Sequence, residues 1–280
     1  MIEYIIIALL QGLVEWLPIS SSGQVFVVAT TFLNINPDEA FSLSIWLHFG
    51  TMFAVLLKFR KDYYRIVKSI FPNRFKSEDI DIKKRNWLII ATIGTGITAL
   101  PLYFVFKFLF IEGFSAESGD IITLVIAGFL IITGIVLIKF KASYGSKDVE
   151  NVSKEVIRKD SLISGLIQGI SILPGISRSG FTVSSMLFER YKQEKALFLS
   201  FLMSVPVIIA SIGVDILFGE GSVFGILDPL TIVITTLISF LVGYLTMNIL
   251  LKIANRIGFG YFCIAYGLVA FIIILPITIG

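Results

Sequence analysis

The chain has 280 residues, 56% of them hydrophobic and only 15% charged, with a mean hydropathy of +0.90. An ordinary soluble domain is roughly 25% charged, so these values exclude a water-soluble globular protein and indicate an all-α polytopic membrane protein whose surroundings are a lipid bilayer. The net charge of +3 gives no reason to expect nucleic acid, because the 23 basic residues crowd into a few connecting segments.

The first segment, 4–33, is apolar but is interrupted by Q-G-L-V-E-W-L-P-I-S-S-S-G from Gln11 to Gly23. Glu3 stands where a signal peptide would be basic, and no small-residue cleavage site follows, so the segment is expected to belong to the fold. Pro18 stops an incoming helix, and Ser20, Ser21 and Ser22 suit the N-cap of an outgoing one, which predicts a helical hairpin with a polar tip. Spans are predicted at 40–58, 87–108 and 120–140, each near the ~20 residues a helix needs to cross about 30 Å of hydrocarbon. Lys58, Arg60, Lys61, Arg65, Lys68, Arg74, Lys76, Lys83, Lys84 and Arg85 mark the connection between the first two as cytoplasmic. The 109–119 connection has Glu112 and Glu117 but no Lys or Arg, and reads as external. Connection 141–159, with Lys141, Lys147, Lys154, Arg158 and Lys159, is internal again.

The segment 160–190 repeats the first interruption. Q-G-I-S-I-L-P-G-I-S-R-S-G starts at Gln168, 157 residues after Gln11, and without a gap it pairs Gly12 with Gly169, Ile19 with Ile176, Ser20 with Ser177, Ser22 with Ser179 and Gly23 with Gly180. It begins after a basic connection and ends at Arg190, Lys192 and Lys195, so it enters and leaves on the inside and is re-entrant. Spans at 196–218, 229–251 and 260–278 follow, separated by an acidic external connection at 219–228 and an internal one with Lys252 and Arg256. The expectation is a single membrane domain, 1–280, of six transmembrane helices plus two re-entrant helical hairpins. Its halves, approximately 1–140 and 160–280, are joined by the basic connection 141–159 and form an inverted repeat whose tips meet near the midplane. Cys263, the sole cysteine, excludes an internal disulfide and a cysteine metal cluster. Gly96, Gly134, Gly213 and Gly243 would allow close helix approach either inside one chain or in a homodimer.

Arg178 stands at the second tip with almost no other charge near it in sequence. An arginine at membrane depth is costly enough to imply a partner, and its planar fork suits phosphate oxygens or a carboxylate. Glu15 is one turn before Pro18 and four residues after Gln11, so the two share a helix face. If the tips meet, Glu15, Arg178, several hydroxyls and helix N-termini surround one anion-binding space.

On these residues the chain resembles the undecaprenyl-pyrophosphate phosphatases of the bacitracin-resistance type over essentially its whole length. The resemblance rests on Q/E-G-x-x-E-x-x-P-x-S-S-x-G at Gln11 to Gly23 and P-G-x-S-R-S-x-x-T at Pro174 to Thr182. It implies an intramembrane enzyme that removes the terminal phosphate of a polyprenyl diphosphate and recycles the lipid carrier of cell-wall glycans in the plasma membrane, with the active site facing outward. It also implies that Glu15 is the acidic residue and Gln11 its companion. Ser21 matches the proposed nucleophile, flanked by Ser20 and Ser22, with Gly23 and Gln24 completing the loop. Arg178 matches the residue that holds the diphosphate, with Ser177, Ser179 and Thr182 as the hydroxyls of the second motif. A divalent cation, Mg²⁺ or Ca²⁺, is implied, with Glu15 as its protein ligand.

The sequence departs from that family at Gln24, where a histidine is usual, and glutamine cannot serve as a titrating base. The only histidine, His48, lies in the first span; an offset of 156 aligns Ala40, Leu43 and Ser44 with Ala196, Leu199 and Ser200 and sets His48 opposite Ser204. His48 is therefore a candidate base for Ser21 or water. The alternatives are a histidine satisfied by a backbone carbonyl, and Glu15 as the base through a metal-bound water. Two other functions compete: a polyprenyl-lipid flippase or transporter, and a catalytically impaired lipid-binding homologue lacking the loop histidine. Membrane lipid phosphatases that need two histidines are unlike this chain, which has one.

Overall fold

The computed structural model describes residues 1–71, 78–111, 119–140, 145–218 and 223–254, and in the last stretch 261, 263–265, 267–269 and 271–272. Among the described residues there is no β-strand, only an isolated bridge between Lys147 and Tyr191. Five helical stretches are long and apolar enough to cross a membrane: Pro37–Lys58, Asp79–Leu109, Ile121–Lys139, Gln193–Phe218 and Pro229–Ile249. They coincide with the first five spans read from the sequence. The sixth, 260–278, lies mostly outside the described residues; those that are described within it are helical. The protein is thus an all-helical, multi-pass membrane protein.

Both interrupted segments form helix–break–helix units. In the first, α1 (Ile2–Val14) ends at Glu15, and α2 (Ser21–Val27) begins after Pro18 and continues as a π-helical turn, Val28–Phe32. The first span contains α3 (Pro37–Trp46) and α4 (His48–Lys58), interrupted at Leu47. The interruption has a local cause: the His48 ring donates from Nδ1 to the Ser44 carbonyl at 2.6 Å, and Ser239 Oγ donates to the Leu47 carbonyl at 2.9 Å, both competing with the helix ladder.

After α5 (Arg60–Ser69), α6 runs from Asp79 to Phe106 and starts eight residues before the predicted span. Those extra turns are polar, with Lys83 and Asp79 paired at i, i+4 (3.3 Å), so they were invisible to a reading based on apolar runs. Next come α7 (Gly119–Phe140), α8 (Lys154–Ile170), α9 (Arg178–Phe188), α10 (Gln193–Phe218), a short α11 (Val223–Ile226) and α12 (Pro229–Ala254). Asp228 precedes α12 and accepts from Thr231 N and Oγ1, which holds its carboxyl below the usual range.

The first helix of each unit is clamped against a full span. α8 packs along α6 so closely that a Cβ on Gly165 would fall 2.2 Å from the Ala91 carbonyl oxygen, while Thr95 and Thr98 donate to the carbonyls of Gly165 (3.1 Å) and Leu166 (2.8 Å). α1 packs on α12 in the same manner, with Thr246 Oγ1 donating to the Gly12 carbonyl at 3.1 Å. Small residues and hydroxyl bonds take the place of the hydrophobic drive that lipid surroundings do not provide. Gly243 is used inside the chain, against Thr51 and Trp16, whereas Gly96 and Gly213 face open space.

Candidate active site

The two breaks meet. Ser20 Oγ accepts from Gly175 N at 3.1 Å, and a Cβ on Gly23 would lie 2.8 Å from both the N and Cα of Gly175, so the approach requires glycine at position 23. Gly175 also has φ +97°. Thr133 on α7 fixes the second tip, donating to the Gly175 carbonyl (3.1 Å) and accepting from Ser177 N (3.2 Å). Trp16 Nε1 fixes the first, donating to the Gly243 carbonyl at 2.8 Å. The N-caps correspond across the repeat: Ser20 Oγ accepts from Gly23 N at 3.3 Å, Ser177 Oγ accepts from Gly180 N at 3.1 Å, and each capping serine lies 3.4 Å from the serine two positions on.

This apposition brings Arg178, at the start of α9, onto Glu15, at the end of α1. Arg178 Nη2 donates to Glu15 Oε1. Glu15 Oε2 accepts from Gln11 Nε2 at 2.8 Å and from Ser21 Oγ at 2.5 Å, and His48 Nε2 lies 3.3 Å from the same oxygen. His48 Nε2 is also 3.4 Å from Ser21 Oγ. Because the Ser44 carbonyl can only accept, His48 carries a proton on Nδ1, which leaves Nε2 as the ring atom facing both Ser21 Oγ and Glu15 Oε2. The carbonyl contact and the approach to Ser21 are therefore both present, on opposite sides of one ring.

Glu15, Ser21, His48 and Arg178 line a cavity of about 80 Å³, room for several ordered waters. Arg178 Nη1 is buried without a partner among the described residues, and Arg178 is part of the cavity wall. Ser20, Ser21, Ser22, Ser177 and Ser179 line the cavity too. Gln11, Gly23, Gln24 and Thr182 are not part of its lining. Gln24 Nε2 donates to the Ile19 carbonyl at 3.3 Å and Thr182 Oγ1 to the Arg178 carbonyl at 2.6 Å, so both side chains hold tip backbone. The position that carries a histidine in the resembling family thus braces the loop, while the imidazole comes from α4.

Gln168, not among the expected site residues, also lines the cavity. Its Nε2 donates to Thr95 Oγ1 at 3.0 Å, and its Oε1 is buried with no partner among the described residues. The repeat held a signal for it, since Gln168 pairs with Gln11; in the first half Glu15 receives the amide, whereas the matching position in the second half is Ile172. Thr95, Ala99, Ile172, Val207 and Ser211 belong both to this cavity and to an apolar groove between α6 and α10 that continues past Gly96, Leu100, Tyr103 and Val214.

A divalent cation resident at Glu15 fits these residues poorly. Glu15 is engaged by Arg178, Gln11 and Ser21, a guanidinium stands against it, and among the described residues no three His, Cys, Asp or Glu side chains converge as a metal site.

Residues 4–272 match the family described as bacitracin resistance protein BacA. The chain belongs to that family. It is 37% identical over 268 residues to an undecaprenyl-diphosphatase of Methanothrix thermoacetophila, covering 96% of this chain and 94% of the relative. It is 36% identical to one of Methanococcoides burtonii, covering 96% of each, and 33% identical to one of Haloarcula marismortui, covering 94% and 93%. All three relatives bear the name of an enzyme, which favours neither the transporter reading nor the impaired lipid-binding reading.

Proposed function

We propose that this protein is an intramembrane phosphatase that hydrolyses undecaprenyl or a similar polyprenyl diphosphate to the lipid monophosphate and inorganic phosphate, recycling the lipid carrier for cell-wall glycan synthesis. Membership of the BacA family and the relatives' common activity support it. The observation that carries it is Arg178 Nη1, without a partner among the described residues, in one cavity with Ser21 and Glu15 and continuous with an apolar groove.

The diphosphate binds at Arg178 and the N-terminus of α9, and the prenyl chain leaves along the groove between α6 and α10. Phosphate on Arg178 weakens its hold on Glu15, which leaves the carboxylate a better acceptor for the Ser21 proton. Ser21 Oγ attacks the terminal phosphorus and passes its proton to the Glu15–His48 pair. The Oγ–P bond forms, the bond from that phosphorus to the bridging oxygen breaks, and polyprenyl monophosphate departs. Water then cleaves the Oγ–P bond, restores the Ser21 hydroxyl and yields inorganic phosphate. Arg178 stabilises the charge on the transferring group in both steps. The divalent cation implied by the resemblance is assigned to the phosphates of the substrate rather than to Glu15.

In this reading the architecture is six transmembrane helices plus two re-entrant hairpins in an inverted repeat. Two features support it: the corresponding N-caps at the tips, and the exchange of partners by which α1 of one half packs on α12 of the other while α8 packs on α6. The basic connections lie in the cytoplasm, the protein sits in the plasma membrane, and the cavity opens outward. The test is product analysis with purified protein and undecaprenyl diphosphate. Equal amounts of lipid monophosphate and inorganic phosphate are expected; release of pyrophosphate, or no release at all, overturns the reading.

A further inference from the structure

Helix α5 takes no part in the cavity, and its contacts with α6 set its direction. Asp62, near its start, accepts from Lys84 Nζ at 2.9 Å, and the Ser69 carbonyl at its end accepts from Arg85 Nη1 at 2.5 Å. Positions seven residues apart on α5, about 10 Å of helix, thus meet consecutive residues of α6. α5 therefore lies across α6. It crosses where the apolar stretch of α6 begins, since Ile66 shares a buried cluster with Trp87 and Leu88, and Lys83, Lys84 and Arg85 stand just before them. The crossing thus sits where α6 changes from charged to apolar sequence.

Its surface has three stripes. Ile66 and Ser69 are buried against the protein. Tyr64 and Val67, at i and i+3, are 62% and 51% exposed, and Phe71, just past the end of the helix, is 54% exposed, too much apolar area for a segment facing water alone. Beside them Lys61, Arg65 and Lys68 form the third stripe, at i, i+4 and i+7. Lys61 and Arg65 are exposed, and Lys68 lies 4.3 Å above the Tyr64 ring. The one carboxylate on α5, Asp62, is held by Lys84 on another side.

We propose that α5 is an interfacial binding site for an anionic phospholipid, separate from the substrate cavity. Acyl chains pack on Tyr64, Val67 and Phe71, and the headgroup phosphate meets Lys61 and Arg65. A zwitterionic lipid offers the same chains but brings its own cation to the basic stripe. Each basic residue near an anionic surface favours binding by roughly fivefold.

Native mass spectrometry of the purified protein exchanged with phosphatidylglycerol or phosphatidylcholine tests this. Phosphatidylglycerol should be retained at least about tenfold better. Lys61→Gln with Arg65→Gln should remove that preference while phosphate release stays unchanged, Lys61→Gln alone should lose roughly fivefold, and Lys61→Arg should keep it. Equal retention of the two lipids, or a preference that survives the double substitution, overturns the proposal.

Discussion

Gly23→Ala tests whether the two tips must touch. Its new Cβ would sit 2.8 Å from the N and Cα of Gly175 and 3.2 Å from Ser20 Oγ. Carbon atoms pack at about 3.5–4.0 Å, so the tips must part by roughly 0.7–1 Å, and both sides of the contact are backbone. Gly175 is itself packed on α7, where a Cβ on it would lie 2.6 Å from the Ile126 carbonyl oxygen and 2.9 Å from the Phe129 side chain. Overpacking of this kind costs about 1–3 kcal/mol in stability. The chemical consequence is larger, since Glu15 and Arg178 are carried by opposite tips and a misplacement near 1 Å costs on the order of 100-fold in rate. Gly128→Ala is the control, because among the described residues nothing lies within 4 Å of its added Cβ. The assay is kcat for phosphate release together with thermal stability in detergent. Wild-type turnover and stability in Gly23→Ala would refute the tip contact as the element that assembles the site.

Further outcomes follow from the other contacts. His48→Ala should lower kcat by about 100-fold at unchanged KM and alter the pH–rate profile, because a positioned base contributes at least that much; full activity would remove His48 from the chemistry. Gln168→Leu should lower kcat roughly tenfold, the worth of one hydrogen bond donated by a cavity water to Oε1, as read by steady-state kinetics; an unchanged kcat would show that the oxygen has no such role. Substrate-free protein should bind no Mg²⁺ in titration calorimetry, since Glu15 is engaged by Arg178, Gln11 and Ser21; stoichiometric binding would restore Glu15 as a resident cation ligand.

The five long spans were legible because apolar runs of about 20 residues have few other readings, and the breaks because proline and capping serines carry local rules. The meeting of Glu15 with Arg178 was legible from the repeat, as nothing else explains two polar interruptions of one pattern. Gln168 was visible as a repeated residue but not as a wall residue, since its role depends on Thr95 of α6, more than seventy residues earlier. Thr95 itself had no signal, a threonine in an apolar helix being ordinary. Gln24 and Thr182 looked like binding groups by position, yet each lies nearest a backbone carbonyl of its own tip. Motif position records that a residue is needed but not which way its side chain turns. The early start of α6 escaped because its polar turns are stabilised by charge pairs rather than by an apolar face.

The central claim is that the space between the tips is where a lipid diphosphate is cleaved, and inorganic phosphate release by wild type, Arg178→Ala and Ser21→Ala tests it most directly. The wild type should release phosphate from undecaprenyl diphosphate, and both variants should fall by on the order of 100-fold or more while remaining monodisperse in detergent. Turnover at the wild-type rate by either variant would contradict it.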